Sequence, residues 1–422
     1  MTASIDYRDG GREGRIIKKT DVAWVSASNL VSLLVAVLIG LALPQFTSYD
    51  TYAGYREYTL FIGFSALLHF GFVQGITLRY GNLSCKELPL RMFRAYSRFL
   101  FLLELIITAI LLPLCLLITG GRITPFFFVI INMFLENLRS YFAAICIFTG
   151  RFKQDSVLQL IYRIVLVTGF MLILYWELPG WQVFLIFTTV LNLVTLFCYS
   201  LFNTALISSV SSGFPEIRED IAETVKRGLP TLLGEQLSLL ILGIDSIFAR
   251  LFFDARQFSL YSFAVYIIVT AFTVINAANA VIFPWLKRQE EKDIMAGYKT
   301  LKKLSLILTA VMMIPLYLCP LAIRRFLPAY EGSIPYLLIL SLTLFFRTLQ
   351  GMACSNTMKA LNMEREYLRC NLTACLLALF TDTAAYLIFR DLKPIAVLSV
   401  VVYAVWFRMC DRAVKDSSLR SE

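Results

Sequence analysis

Residues 181–207 read WQVFLIFTTVLNLVTLFCYSLFNTALI, with no Asp, Glu, Lys or Arg among them. A helix of that length, at about 1.5 Å per residue, covers the roughly 30 Å hydrocarbon core of a bilayer. Comparable stretches recur along the whole chain, near 22–44, 58–80, 97–119, 123–148, 155–176, 181–207, 228–252, 257–286, 299–323, 333–357, 368–389 and 392–410. Segments this long satisfy their backbone inside lipid only as helices. The pattern predicts an all-α polytopic membrane protein of about twelve transmembrane helices with little chain outside the bilayer.

Composition agrees. Of 422 residues, 58% are hydrophobic and 16% charged, and the mean hydropathy is +0.70. A soluble chain of this size needs far more charge to wet its surface. Nothing reads as a cleavable signal peptide: the basic tail with Arg8, Arg12, Arg15, Lys18 and Lys19 runs into a span too long for an h-region. The nine cysteines form no CxxC and fall outside external loops, so neither disulfides nor a zinc site are expected.

The net charge of +10 follows topology rather than a nucleic-acid partner. With the N-terminus in the cytosol, 28 of the 39 Lys and Arg residues fall in cytosolic segments. Seven fall outside: Arg56, Arg122, Arg256, Arg324, Arg325, Arg390 and Lys393. The positive-inside rule then places both termini in the cytosol. The longest external loop on this reading, Gln45 to Glu57, offers only Asp50, Arg56 and Glu57 as charged groups.

The chain divides into a basic tail (1–21), a six-helix lobe (22–207), a cytosolic linker (208–227), a second six-helix lobe (228–410) and a short tail (411–422). In the linker, Ile217, Ile221 and Val225 at i, i+4, i+8 oppose acids and Arg218, which predicts an amphipathic helix at the membrane surface started by Pro215. The halves are faintly alike. Ser32-Leu33-Leu34 and Ser238-Leu239-Leu240 are offset by 206 residues, and Tyr55 falls on Tyr261 at the same offset. Such repeats are common in transporters.

Four arginines remain, Arg139, Arg163, Arg250 and Arg347, each inside a predicted span. An arginine facing lipid at mid-helix costs about 2.5–3.5 kcal/mol, so these side chains should line protein or a wet cavity. Arg250 sits near a helix end and can snorkel. Glu136 and Arg139 share a stripe with Asn132, and the pair reads equally as a structural ion pair or a cavity cation. Arg163 and Arg347 have no acid at i±3 or i±4, which favours an anionic ligand. Arg79, at the end of the second span, joins them as a candidate cavity cation. Asp245 and Asp382, entered from the same side, sit within about 5 Å of the same depth and could hold a cation or share a proton. Glu235 and Ser238 lie on the face of Asp245. Asn276 with Asn279, Gln350 with Arg347, and Asn192 with Asn203 read as interhelical hydrogen bonders. The lone His69 reads as a packed residue.

Three stretches carry a family resemblance: YREYTLFIGFSALLHFGFVQGITLRYG (55–81), VKRGLPTLLGEQLSLLILGIDSIFARLFF (225–253), and Tyr261 through Pro284-Trp285-Leu286, after which the expected basic residue is displaced to Lys287-Arg288. The chain resembles polysaccharide flippases of the multidrug/oligosaccharidyl-lipid/polysaccharide superfamily. The resemblance implies two lobes around a cationic cavity, alternating access, and export of an undecaprenyl-pyrophosphate-linked oligosaccharide across the bacterial inner membrane. It further implies no cofactor beyond a Na+ or H+ coupling ion, a monomer, and glycan polymerase machinery as a partner. A drug antiporter of the same superfamily is the nearest alternative. An integral-membrane polymerase or ligase lacks support, because no HExxH, nucleotide-binding loop or nucleophile–base pair occurs.

Overall fold

The computed structural model describes residues 19–81, 83, 87–178, 180–207, 214–287, 291–361 and 363–421; side chains at 19–23, 214–217, 274–285, 287, 291–293 and 418–421 fall outside this set. The linker start, the Asn276/Asn279 side chains and the Pro284-Trp285 closure therefore lie outside the described residues. The rest is helical. In order run α1 (Lys19–Phe46), α2 (Tyr49–Ile62), α3 (Phe72–Tyr80), α4 (Leu90–Ile118), α5 (Pro125–Phe148), α6 (Phe152–Tyr175), α7 (Trp181–Phe202), α8 (Phe214–Phe252), α9 (Ala255–Lys287) and α10 (Glu291–Phe326). They continue with α11 (Ile334–Thr348), a π-helical stretch Leu349–Ser355, α12 (Asn356–Ala360), α13 (Glu364–Phe389) and α14 (Leu392–Ser421). Among the described residues, eleven helices are long and apolar enough to cross a membrane, and the bent pair of α2 and α3, taken as one span, makes a twelfth. This is the expected multi-pass membrane fold.

The second span departs from its sequence reading. It begins at Tyr49 and not near residue 58, so the supposed external loop is mostly helix. Ser48, extended at φ −69° and ψ 161°, accepts a hydrogen bond from the Thr51 N–H on its side chain, and Asp50 sits in the first turn. Hydropathy missed this start because its residues are polar. The span then tightens into a 3-10 turn, Ser65–His69, and after it turns through 61° into α3. Phe70 and Gly71 adopt left-handed φ values of 51° and 80° at the break.

The linker is also placed differently. From Phe214 it is continuous with the seventh span in a single 39-residue helix, about 58 Å long at 1.5 Å per residue. Ile221 is buried with Phe72, Phe93 and Tyr96 of the first half, and Val225 packs beside it. The amphipathic face thus meets protein, not lipid. Backbone proximity makes this contact possible: a Cβ on Gly75 would lie 1.9 Å from the Thr224 carbonyl oxygen, and one on Gly228 would lie 2.0 Å from the Gly71 oxygen. Gly75→Val should therefore force α3 from α8. The expected cost is about 1–3 kcal/mol, read as a lower melting temperature in detergent; an unchanged midpoint would contradict the packing described.

Besides this α3–α8 packing, the halves also meet at the end where α1 joins α2 and α8 joins α9. There Ser259 Oγ donates to the Tyr49 carbonyl at 2.8 Å, the Tyr49 hydroxyl donates to the Ala329 carbonyl, and Tyr52 packs edge-on against Phe263 and Tyr330. One large buried cluster accordingly runs from Val35 and Phe170 in the first half to Tyr261, Tyr403 and Trp406 in the second.

Candidate functional site

The intramembrane arginines separate into two groups. Arg139 is answered on its own helix, with Nε donating to Glu136 Oε2 at 3.0 Å and Nη2 closing the same pair. Asn132, on the same stripe, turns instead to Thr189 and Asn192 at 2.7 Å each. Arg250 Nε bonds Glu57 Oε2 at 2.7 Å and ties α8 to α2. Arg79 bonds Asp220 Oδ1 at 2.5 Å, with Thr224 Oγ1 at 2.6 Å and Glu223 at 3.8 Å, clamping α3 to the start of α8. The structure corrects the expectation that Arg79 and Arg250 are free cavity cations: acids distant in sequence neutralise both. Arg139 takes the structural-pair reading.

Arg163 and Arg347 behave otherwise. Each has a buried Nε with no hydrogen-bond acceptor. Arg163 lies over the Tyr162 ring, 5.5 Å from its centroid, and Arg347 over Phe272 at 3.8 Å. Aromatic faces hold a guanidinium without consuming its hydrogen-bond donors. Arg56 is a third of the same kind, its Nε unpartnered and its guanidinium 4.9 Å from the Tyr266 centroid. Sequence reading had set Arg56 in an external loop. Once the capped start of α2 is recognised, it falls two turns inside a membrane helix. Arg56 and Arg163 both act electrostatically on Tyr55 and Tyr266, so they converge on one region.

In the second half, Asp245 and Asp382 come together. Asp245 is 5% exposed and Asp382 1%, and they interact electrostatically. Asp245 Oδ1 accepts from the Ser246 N–H at 2.6 Å, while Oδ2 accepts from Tyr261 Oη at 2.6 Å and Ser399 Oγ at 3.4 Å. Neither oxygen of Asp382 has a hydrogen-bond partner. Arg347 lies within electrostatic reach of Asp245. It stands just before the π-helical stretch, a departure from α geometry often found at functional sites. Tyr261 and Ser399 were not anticipated as members of this group; they reach it from α9 and α14, and no spacing along one helix could reveal them. Glu235 does not belong, being exposed and without a hydrogen bond or ion pair among the described residues. Ser238, on the same face, bonds Tyr367 and Asn371 at 3.0 Å instead.

The side-chain atoms at the aspartate pair that could take an ion are all oxygen, which suits a proton or a small hard cation. Among the described residues no group of three or more His, Cys, Asp or Glu is arranged to hold a metal ion. The eight described cysteines are free thiols.

Neither a protein-family model nor a curated protein sequence matches the chain. Solved structures do. The lipid II flippase MurJ in an inward closed conformation superposes with a TM-score of 0.68 at 14% identity, over 94% of this chain and 88% of that one. An inward-facing multidrug resistance MATE family transporter of the MOP superfamily gives 0.67 at 15% identity, over 94% and 99%. Its outward-facing counterpart gives 0.62 at 15% identity, over 94% of each chain. The chain has the fold of these transporters. At such identities the likeness is one of fold, shared by a lipid flippase and drug transporters alike.

Proposed function

We propose that this protein is an alternating-access flippase that moves an undecaprenyl-pyrophosphate-linked oligosaccharide, the repeat unit of an O-antigen, capsule or exopolysaccharide, across the bacterial inner membrane. The observation that carries this reading is the set of three intramembrane arginines, Arg56, Arg163 and Arg347, whose Nε donors are buried and unpartnered. Guanidinium groups match phosphate oxygens in bidentate geometry and keep their charge in low dielectric. The glycan-pyrophosphate head would sit among them while the polyprenyl tail stays in lipid between two six-helix lobes. With the termini in the cytosol, the end closed by Tyr49, Glu57, Arg250 and Ser259 faces outward.

In this scheme a Na+ ion or a proton at Asp245 and Asp382 supplies the coupling. The protein acts as a transporter and not an enzyme, as a monomer that hands its cargo to glycan polymerase machinery. A cation-coupled drug antiporter is the second reading, favoured specifically by the aspartate pair. Ligand-induced stabilisation in lipid nanodiscs separates the two. Polyprenyl pyrophosphate should raise the melting temperature and polyprenyl alcohol should not. Stabilisation by aromatic organic cations, with no response to the pyrophosphate lipid, would instead favour the antiporter.

A further inference from the structure

Glu104 lies in the middle of α4, 0% exposed, in a stretch whose other residues from 99 to 118 are uncharged. Its Oε1 accepts from the Asn137 amide of α5 at 2.8 Å. The same amide nitrogen donates to the Ser65 carbonyl at 2.9 Å, and Ser65 opens the 3-10 turn that ends the first arm of the second span, just before its 61° bend at Phe70 and Gly71. Glu104 Oε2 has no partner at all. Asn137 is 1% exposed, so the pair is shielded from bulk solvent.

No counter-charge serves this carboxyl. The elements packed against α4 include α3, whose one charged residue, Arg79, is taken by Asp220, together with α5, the Ser65–His69 turn, Thr204–Leu206 and α8. On α5, Glu136 and Arg139 satisfy each other. On α8, Asp220 and Glu223 are held by Arg79, Arg250 by Glu57, and Glu235 is exposed. The turn contributes His69, 2% exposed with an unpartnered Nδ1. Among the described residues, Asn137 is the side chain that hydrogen-bonds Glu104, and no basic group pairs with it. Inside a membrane span, a lone carboxylate that has lost its hydration is relieved by binding a cation. A metal ion needs a shell of several oxygens, whereas here one carboxylate oxygen is free. That geometry fits a proton.

We propose that Glu104, with Asn137 and the Ser65 carbonyl, forms a proton-binding site in the first half of the molecule, separate from the Asp245–Asp382 pair, and that its occupancy sets the bend between α2 and α3. The link is the shared amide. An ionised acceptor draws a hydrogen bond more strongly than a neutral one, so taking up the proton loosens the Asn137 amide from Glu104. The second hydrogen of that amide holds the first residue of the 3-10 turn that leads into the bend. The proton and the α2–α3 angle are therefore coupled through one side chain, whatever the transported substrate is.

The test uses full-length protein in nanodiscs, spin-labelled at the exposed positions Leu78 on α3 and Ile110 on α4, with reactive cysteines replaced. The inter-label distance is measured at pH values of about 5 and about 9, which bracket a buried carboxyl. Wild type should shift between the two, Asp382→Asn should retain the shift, and Glu104→Gln should lose it, remaining at the low-pH distance throughout. No shift in wild type, or a full shift in Glu104→Gln, overturns the proposal. Should Glu104→Gln not be recovered folded, Asn137→Ala decides the matter: without the shared amide the shift should be lost, and a full shift in that variant also overturns the proposal.

Discussion

Replacing Arg163, Arg347 or Arg56 singly with alanine is expected to weaken binding of a pyrophosphate lipid by about 10- to 100-fold, while Arg139→Ala leaves it within a few-fold of wild type. The estimate follows from charge-assisted hydrogen bonds, worth about 1.5–3 kcal/mol each. The contrast matters more than the size. All four arginines lie in the membrane and all four touch aromatic rings, with Arg139 over Tyr162 at 5.8 Å. Only Arg139 has its donors spent on a carboxylate. Mere positive charge in the cavity would make the four substitutions equivalent. Phosphate recognition predicts that they are not. Lysine at Arg163 or Arg347 should recover part of the affinity, since it restores charge but not the fork. Equilibrium titration of each folded variant with the fluorescent pyrophosphate lipid measures both effects, and equal losses at Arg139 and Arg163 would sink the assignment of roles.

These arginines also show what the sequence reveals and what it hides. Arg163 and Arg347 were legible because the test applied to them, the absence of an acid at i±3 or i±4, concerns one helix and needs no fold. No such test could find the partners of Arg250 and Arg79, whose acids Glu57 and Asp220 lie 193 and 141 residues away. Local spacing carries no information about such partners. Arg56 was lost for a different reason. The capped polar start of α2 lowers hydropathy just where the span begins, so a membrane residue read as loop. Glu104 shows the reverse failure. One acid among leucines and isoleucines barely lowers the average of a span, so the helix was found and its charge passed over. The twelve crossings themselves were readable because length and apolarity are properties of each segment alone. Pairings between segments, such as Asp245 with Tyr261 and Ser399, depend on how the helices are packed.

The aspartate pair sets the second large expectation, that Asp382→Asn abolishes coupling to the cation gradient while leaving binding of the pyrophosphate lipid intact. Counting charges explains why. With both carboxylates ionised and Arg347 within reach of Asp245, the buried group carries a net charge of −1, and one monovalent cation brings it to zero. A low-dielectric interior favours that neutral state. Asn at 382 is already neutral with the site vacant, so neither ion binding nor ion release changes the energy of moving the lobes. Gradient-driven transport in proteoliposomes should then fall to the rate seen with no gradient, and downhill exchange should persist. The two carboxylates are not equivalent in this respect. Asp245 is held by Tyr261, Ser246 and Ser399, so Asp245→Asn also removes the acceptor from a buried network and should cost stability, whereas Asp382 has no such partners to lose. Comparing the two variants by melting temperature and by gradient dependence separates a coupling site from a packing role. Asp382→Asn vesicles that still respond fully to both Na+ and proton gradients would remove the pair from the mechanism.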